Sequence, residues 1–193
     1  MAWAHQPHMA VGRTTLVANP DVSQAFYAEL KGQPDEYLFS LTEPLLLFLN
    51  VLVPDIPGVH EDYTVQLFRR TSSGDSLVRT LDGTNADWTQ FHEPVANDDY
   101  LQGPEFHEPT APGDYVVRVS CPGNQGKYVL AIGERESFPP GEITRVIGVM
   151  PALKRYFGKS PATAYFNYTG LFLGVTAGVV AGIVVLIVSL ANR

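Results

Sequence analysis

Only one cysteine, Cys121, occurs in the 193 residues, so an intramolecular disulfide is excluded. Cys121 precedes Pro122 and Gly123 and has no base or metal ligand beside it in sequence, so it reads as a small buried residue, not a nucleophile. Positive charge is missing over a long window. Between Arg79 and Arg118 there is no Lys or Arg, yet the window holds Asp82, Asp87, Glu93, Asp98, Asp99, Glu105, Glu108 and Asp114. With a net charge of −7 and no basic face to meet phosphates, the chain is not expected to bind nucleic acid. Catalytic signatures are also missing: no Gly-x-Ser-x-Gly elbow, no His-Glu-x-x-His, no phosphate-binding glycine loop, no Cys-x-x-Cys. The expectation is a non-enzymatic protein. Internal repeats and low-complexity segments are absent as well.

Long apolar runs are scarce, with one exception. Residues 169–190 carry no charge, enough to cross a hydrocarbon core of about 30 Å as a helix. Within that run Gly170, Gly174, Gly178 and Gly182 recur every fourth residue, and Ala177 and Ala181 widen the small face. A helix that only anchors has no need of glycine, which weakens helices. In a membrane, small residues at this spacing let a second backbone approach closely. The stripe therefore predicts a transmembrane helix that packs on a partner helix. Tyr165, Phe166, Tyr168 and Phe172 form an aromatic belt at its start.

The chain before the span reads as four parts with it. Residues 1–12 form an irregular leader, whose Ala2-Trp3-Ala4 resembles the cleavage box of a signal-peptide remnant. Residues 13–138 show short alternating apolar stretches between turn signals, the pattern of an all-β domain. Expected strands cover 14–18, 24–30, 37–41, 45–53, 63–69, 76–81, 114–119 and 127–133. The nearly continuous apolar run 45–53 suits a central strand buried on both faces. Residues 84–113 read as a long acidic, aromatic loop region. Over 139–161, Ile143, Val146, Ile147, Met150, Leu153 and Phe157 make a helical apolar stripe, with Pro151 expected to kink or split it. Lying just before the span, this amphipathic helix is expected along the membrane surface or against the sandwich, and covering a sheet edge is the plainer alternative. Residues 162–193 are the transmembrane helix and a short tail. The fold class is mainly β: a jelly-roll or Ig-like β-sandwich, then one short amphipathic helix, then one C-terminal transmembrane helix.

The strands from Pro112 to Val119 and from Gly126 to Gly133, each built round a tyrosine, resemble the closing hairpin of bacterial pre-peptidase C-terminal β-sandwich domains. Glu36-Tyr37-Leu38-Phe39-Ser40-Leu41 looks like the opening strand of such domains. The whole chain is similar to bacterial exported proteins with a single C-terminal span, on the segments 24–32, 52–58 and 133–139. That resemblance implies an envelope location and a non-catalytic domain, and no particular activity.

Three candidate sites follow. The glycine face is a helix-packing surface. Asp87, Glu93, Asp98, Asp99, Glu105 and Glu108 are oxygen donors that suit a cation such as Ca2+, although their spacing matches no EF-hand loop and a solvated acidic face is the preferred explanation. His5 and His8 suit copper if cleavage exposes His5 as the N-terminus. The expected protein is an accessory subunit of a multi-subunit bacterial membrane complex, such as a respiratory or photosynthetic reaction-centre or antenna assembly. Its partners would be other transmembrane subunits, the lipid bilayer and a basic periplasmic protein drawn to the acidic face. Two alternatives stand beside it: a membrane-anchored cation- or ligand-binding sandwich, and a self-associating single-pass protein. Topology is contested by the sequence itself. Lys154, Arg155 and Lys159 precede the span and only Arg193 follows it, which favours a tail-anchored cytoplasmic domain. Long domains translocate largely regardless of charge, and the inner-membrane protein with a periplasmic N-terminal domain is the preferred reading.

Overall fold

The computed structural model describes residues 5–94, 96–137, 139–165, 170, 174, 175, 178 and 187–190. Eleven strands are described: β1 (Gln6–Met9), β2 (Thr14–Leu16), β3 (Gln24–Lys31), β4 (Asp35–Leu41), β5 (Leu45–Pro54), β6 (Thr64–Thr71), β7 (Gly74–Asp82), β8 (Thr89–Glu93), β9 (Asp98–Thr110), β10 (Gly113–Ser120) and β11 (Gln125–Ile132). One α-helix, α1 (Pro140–Tyr156), follows them.

The strands form two sheets, in the orders β1-β3-β11-β5-β9-β8 and β2-β4-β10-β6-β7. Alternation sends Phe26, Leu30, Leu49, Val51, Leu130 and Ile132 of the first sheet against Tyr37, Phe39, Val65, Leu67, Val117 and Val119 of the second, giving one dry core. The mainly β sandwich expected from the alternating pattern is what forms. The first sheet is also buried on its outer face. Ala25, Tyr27, Leu52, Tyr100, Val129 and Ala131 meet Met150, Leu153, Tyr156 and Phe157 of the α1 segment in a second apolar cluster. This explains why the run 45–53 is so continuously apolar: β5 has sheet core on one side and helix on the other.

Three expectations need correction. The leader is not irregular throughout, because Gln6–Met9 pairs in parallel with β3 from Gln6↔Gln24 to Met9↔Tyr27. Residues 1–4 lie outside the described residues. The acidic region is not a long loop but β8 and β9, paired from Thr89↔Gln102 to Glu93↔Asp98. Beyond Gln102 the only described ladder of β9 is with β5, so Pro104 and Pro109 need no outward N–H. The register shifts beside Asn50, whose side-chain amide donates to the Gly103 carbonyl at 3.0 Å. The helix lies against the sandwich, one of the two expected places, but it is not split at Pro151. It runs unbroken from Pro140 to Tyr156 on the outer face of the first sheet.

The expected span falls largely outside the described residues. Among the described residues no helix is long and apolar enough to cross a membrane. Of the glycine face, Gly170, Gly174 and Gly178 are helical, and Gly182, Ala177 and Ala181 lie outside the described residues.

Candidate functional site

A buried ion-pair network joins α1 and the segment after it to the β8–β9 turn. Asn97 adopts a left-handed φ of 60° and turns the chain so that Asp98 opens β9 directly opposite Glu93. The Glu93 carboxylate accepts from the Ala96 N–H at 2.6 Å, which braces the turn. Asp98 is fully buried, with 0 % of its side chain exposed, and each carboxylate oxygen meets one lysine: Lys154 Nζ at 2.8 Å and Lys159 Nζ at 2.7 Å. Lys154 also donates to the Ala96 carbonyl, and Lys159 to the Asn97 carbonyl at 3.1 Å. A buried ion pair is tolerated only when its remaining polar atoms are satisfied, and here the turn's own carbonyls do that.

One turn further on, the Tyr156 hydroxyl reaches the Tyr128 carbonyl at 2.7 Å and the Ala28 carbonyl at 3.0 Å. Lys127 Nζ donates to the Tyr156 carbonyl at 2.7 Å, a cation at the helix C-terminus where the macrodipole favours it. Edge-to-face contacts of Tyr156 with Tyr27 (5.4 Å) and of Phe157 with Tyr100 (5.0 Å) fill the space between. The Tyr27 and Tyr100 hydroxyls bond each other at 2.7 Å, and burial drives both well above the ordinary phenol pKa. Between α1 and the sheet remains a mostly apolar cavity of about 80 Å³, lined by Tyr27, Leu52, Phe91, Tyr100, Met150 and Leu153 among others.

The six carboxylates suggested as cation ligands are not brought together. Asp98 is held by lysines. Asp99, its neighbour on the opposite face of β9, pairs with His92 Nδ1 at 2.7 Å. Glu93 braces the turn, Glu108 pairs with Arg79 across the sandwich edge, and Asp87 and Glu105 are exposed elsewhere. Strand alternation is the cause: residues that read as one acidic loop are dealt to two faces and both ends of a long strand. Among the described residues no three His, Cys, Asp or Glu are grouped so as to hold a metal ion. His5 is half-buried with its Nδ1 2.6 Å from Ser23 Oγ, and desolvation lowers its pKa to about 4. His8 stacks on Phe26 at 5.1 Å, and burial together with Arg145 lowers its pKa to about 4. Both rings are structural parts of the β1 edge. Cys121 is buried, its Sγ 3.3 Å from the Gln125 carbonyl, and burial raises its thiol pKa, which leaves it inert.

At Gly174 and Gly178 an added Cβ would meet nothing within 4 Å, whereas at Gly170 it would collide with the Tyr165 backbone. Val175, Ile187, Val188 and Leu190 are 58, 60, 53 and 61 % exposed, an apolar surface that no part of this chain covers among the described residues.

Sequence reasoning missed Lys154 and Lys159 as structural anchors. The signal was present, since Lys154 falls on the helical stripe with Met150, Leu153 and Phe157, where an apolar residue is expected.

No family model matches the sequence, and no curated protein matches it at significance. Among solved structures, the pre-peptidase C-terminal domain of a collagenase from Bacillus anthracis is similar at 13 % identity and a TM-score of 0.37, over 65 % of this chain and 98 % of that one. The sandwich itself is read directly from the strands described above.

Proposed function

We propose that the chain is a membrane-anchored, non-enzymatic accessory subunit that holds a β-sandwich at a fixed position beside a membrane complex. The observation that carries this reading is the helix clamp. α1 is the last described α-helix of the domain before the uncharged run 169–190, followed by a short 3-10 turn at Pro161–Thr163, and it is fastened to the sandwich through Asp98, Tyr156 and Phe157. A domain that merely needed tethering would be joined to its anchor by a flexible linker. Here the domain and the approach to the apolar run are one packed body, which suits a scaffold whose orientation matters. The exposed Val175, Ile187, Val188 and Leu190 support burial of that run in lipid or protein. The open backbone at Gly174 and Gly178 supports close approach of a second helix. The sandwich is placed on the periplasmic side of a bacterial inner membrane. No feature of the fold favours a respiratory over a photosynthetic assembly.

The test is co-purification from solubilised membranes. Replacing Gly174 and Gly178 with Leu should strip the chain of its partner subunits while leaving it in the membrane fraction. Retention of the same partners sinks the helix-packing reading, and release of the wild type by alkaline extraction sinks the anchoring reading. Crosslinking that yields only a dimer of this chain would reassign the glycine face to self-association. Protease added to spheroplasts should digest the sandwich if the domain is periplasmic.

A further inference from the structure

We infer that the outward face of α1 lies on the lipid headgroup layer, so that the helix is pressed between sheet and bilayer. The inference rests on the anchoring reading above and adds a second contact to it. Three observations point to lipid as the occupant of this face.

The first is where the chain leaves the domain. The Tyr165 hydroxyl donates to the Ile147 carbonyl at 3.0 Å, which pins the last described residue of the domain against the middle of α1. The apolar run begins only four residues later, at residue 169. At no more than about 3.5 Å per residue, that keeps the start of the run within about 14 Å of the Tyr165 backbone, itself one tyrosine side chain from α1. If the run enters a bilayer, α1 cannot stand far above the surface.

The second is the chemistry of the face. Ile143 is 47 % and Tyr165 42 % exposed, and Ile147 and Pro151 beside them are half-buried. Thr144, Gly148 and Ala152 complete the outward side without a charge over three turns. An interfacial helix sinks an apolar face some 5–10 Å into the headgroup boundary, and tyrosine favours that depth.

The third is charge. α1 carries Arg145, Lys154 and Arg155 against Glu142 alone, in a chain whose net charge is −7. Lys154 is buried with Asp98 and Arg145 pairs with Glu142 and the Pro7 carbonyl, which leaves Arg155, exposed at the end of the outward face. Anionic headgroups attract such a cation, while the acidic residues of β8 and β9 would be repelled by them.

The full-length protein can be reconstituted in phosphatidylethanolamine–phosphatidylglycerol vesicles, with an environment-sensitive fluorophore on single cysteines in a Cys121→Ala background. Labels are placed at Ile143, at Gly148 as a second probe of the same face, at Leu77 on the opposite sheet, and at Ile187 in the apolar run. Lipid spin-labelled near its headgroup should quench Ile143 and Gly148, and leave Leu77 unquenched. Quenching of Ile187 by deep spin labels with none at Ile143 and Gly148 overturns this inference and leaves anchoring intact. No quenching at Ile187 overturns both. Shielding of Ile143 from aqueous iodide without lipid quenching means that a second protein covers the face, and also overturns it. Equal quenching at Leu77 and Ile143 would do the same.

Discussion

At the scale of single residues, Asp98 decides most. Two lysine charges and one carboxylate meet in a site where Asp98 has no exposed surface and Lys154 only 3 %. Removing one partner of such a pair leaves an uncompensated charge, which costs about 3–5 kcal/mol. Asp98→Ala should therefore lower the melting temperature of the detergent-solubilised protein by about 10 °C, given about 2–4 °C per kcal/mol at this size. Adding Lys154→Met should restore most of that loss, since apolar replacement of a buried pair is often neutral. Lys159 is 40 % exposed, so Lys159→Met should cost about 1 kcal/mol or less. If all three variants melt alike, the clamp does not hold the helix. Histidine supplies the second prediction. His5 and His8 have folded pKa values lowered from 6.5 to about 4, so the unfolded chain binds more protons in between. Their contribution to stability is complete above pH 6.5 and is lost as pH falls toward 4. The urea midpoint should drop between pH 7 and pH 5, and His8→Phe, which keeps the stack on Phe26, should flatten that drop. An unchanged slope in His8→Phe would show that this ring does not titrate with unfolding.

At the scale of elements, α1 contains its own defect and the repair for it. Proline at 151 has no N–H, so the Ile147 carbonyl four residues earlier has no helical donor. The Tyr165 hydroxyl takes that place at 3.0 Å. This is how a helix with an internal proline stays continuous and why the segment after it folds back. Tyr165→Phe should cost about 1 kcal/mol, the usual net worth of one hydrogen bond. In a Pro151→Ala background the same change should cost nearly nothing, because the backbone then supplies its own donor. A double-mutant cycle on thermal midpoints measures this coupling, and purely additive effects would refute it. The same helix shows what sequence can and cannot reveal. Its apolar stripe is readable by spacing, and so are β4 and β6 by alternation and β5 by its continuous apolar run. The face it covers is not readable. Ala25, Tyr27, Val129 and Ala131 sit in runs apolar on both sides, which say that something packs there but not what. β8 and β9 hide for a different reason. Their carboxylates and prolines are turn formers by composition, and only the edge position of β9 beyond Gln102 lets them stand in a strand. The acidic site dissolved with the loop it depended on, and its most buried member became the anchor of the helix.

At the scale of the whole molecule, the two apolar clusters share the first sheet as a common wall. Phe26 and Leu130 point into the sandwich while Tyr27 and Val129 beside them point to α1. Helix and sandwich should thus melt together, unlike a juxtamembrane helix resting on lipid beside an independent domain. Leu153 is the position that separates these cases, being 2 % exposed, on α1, and remote from the inter-sheet core. Leu153→Ala removes a buried side chain against Tyr27, Leu52 and their neighbours and should cost about 2–5 kcal/mol. Near-ultraviolet circular dichroism of the tyrosines and far-ultraviolet signals of the strands should both shift down, in one transition and by the same amount. A variant in which helical signal is lost early while the strands melt at the wild-type temperature would divide the molecule into two units. The scaffold reading needs them to be one, because a helix that detaches on its own cannot fix the sandwich relative to the segment that follows it. Far-ultraviolet melts of Leu153→Ala and Asp98→Ala together make the test stringent, since the two sites reach α1 from different strands and should produce the same single, lowered transition.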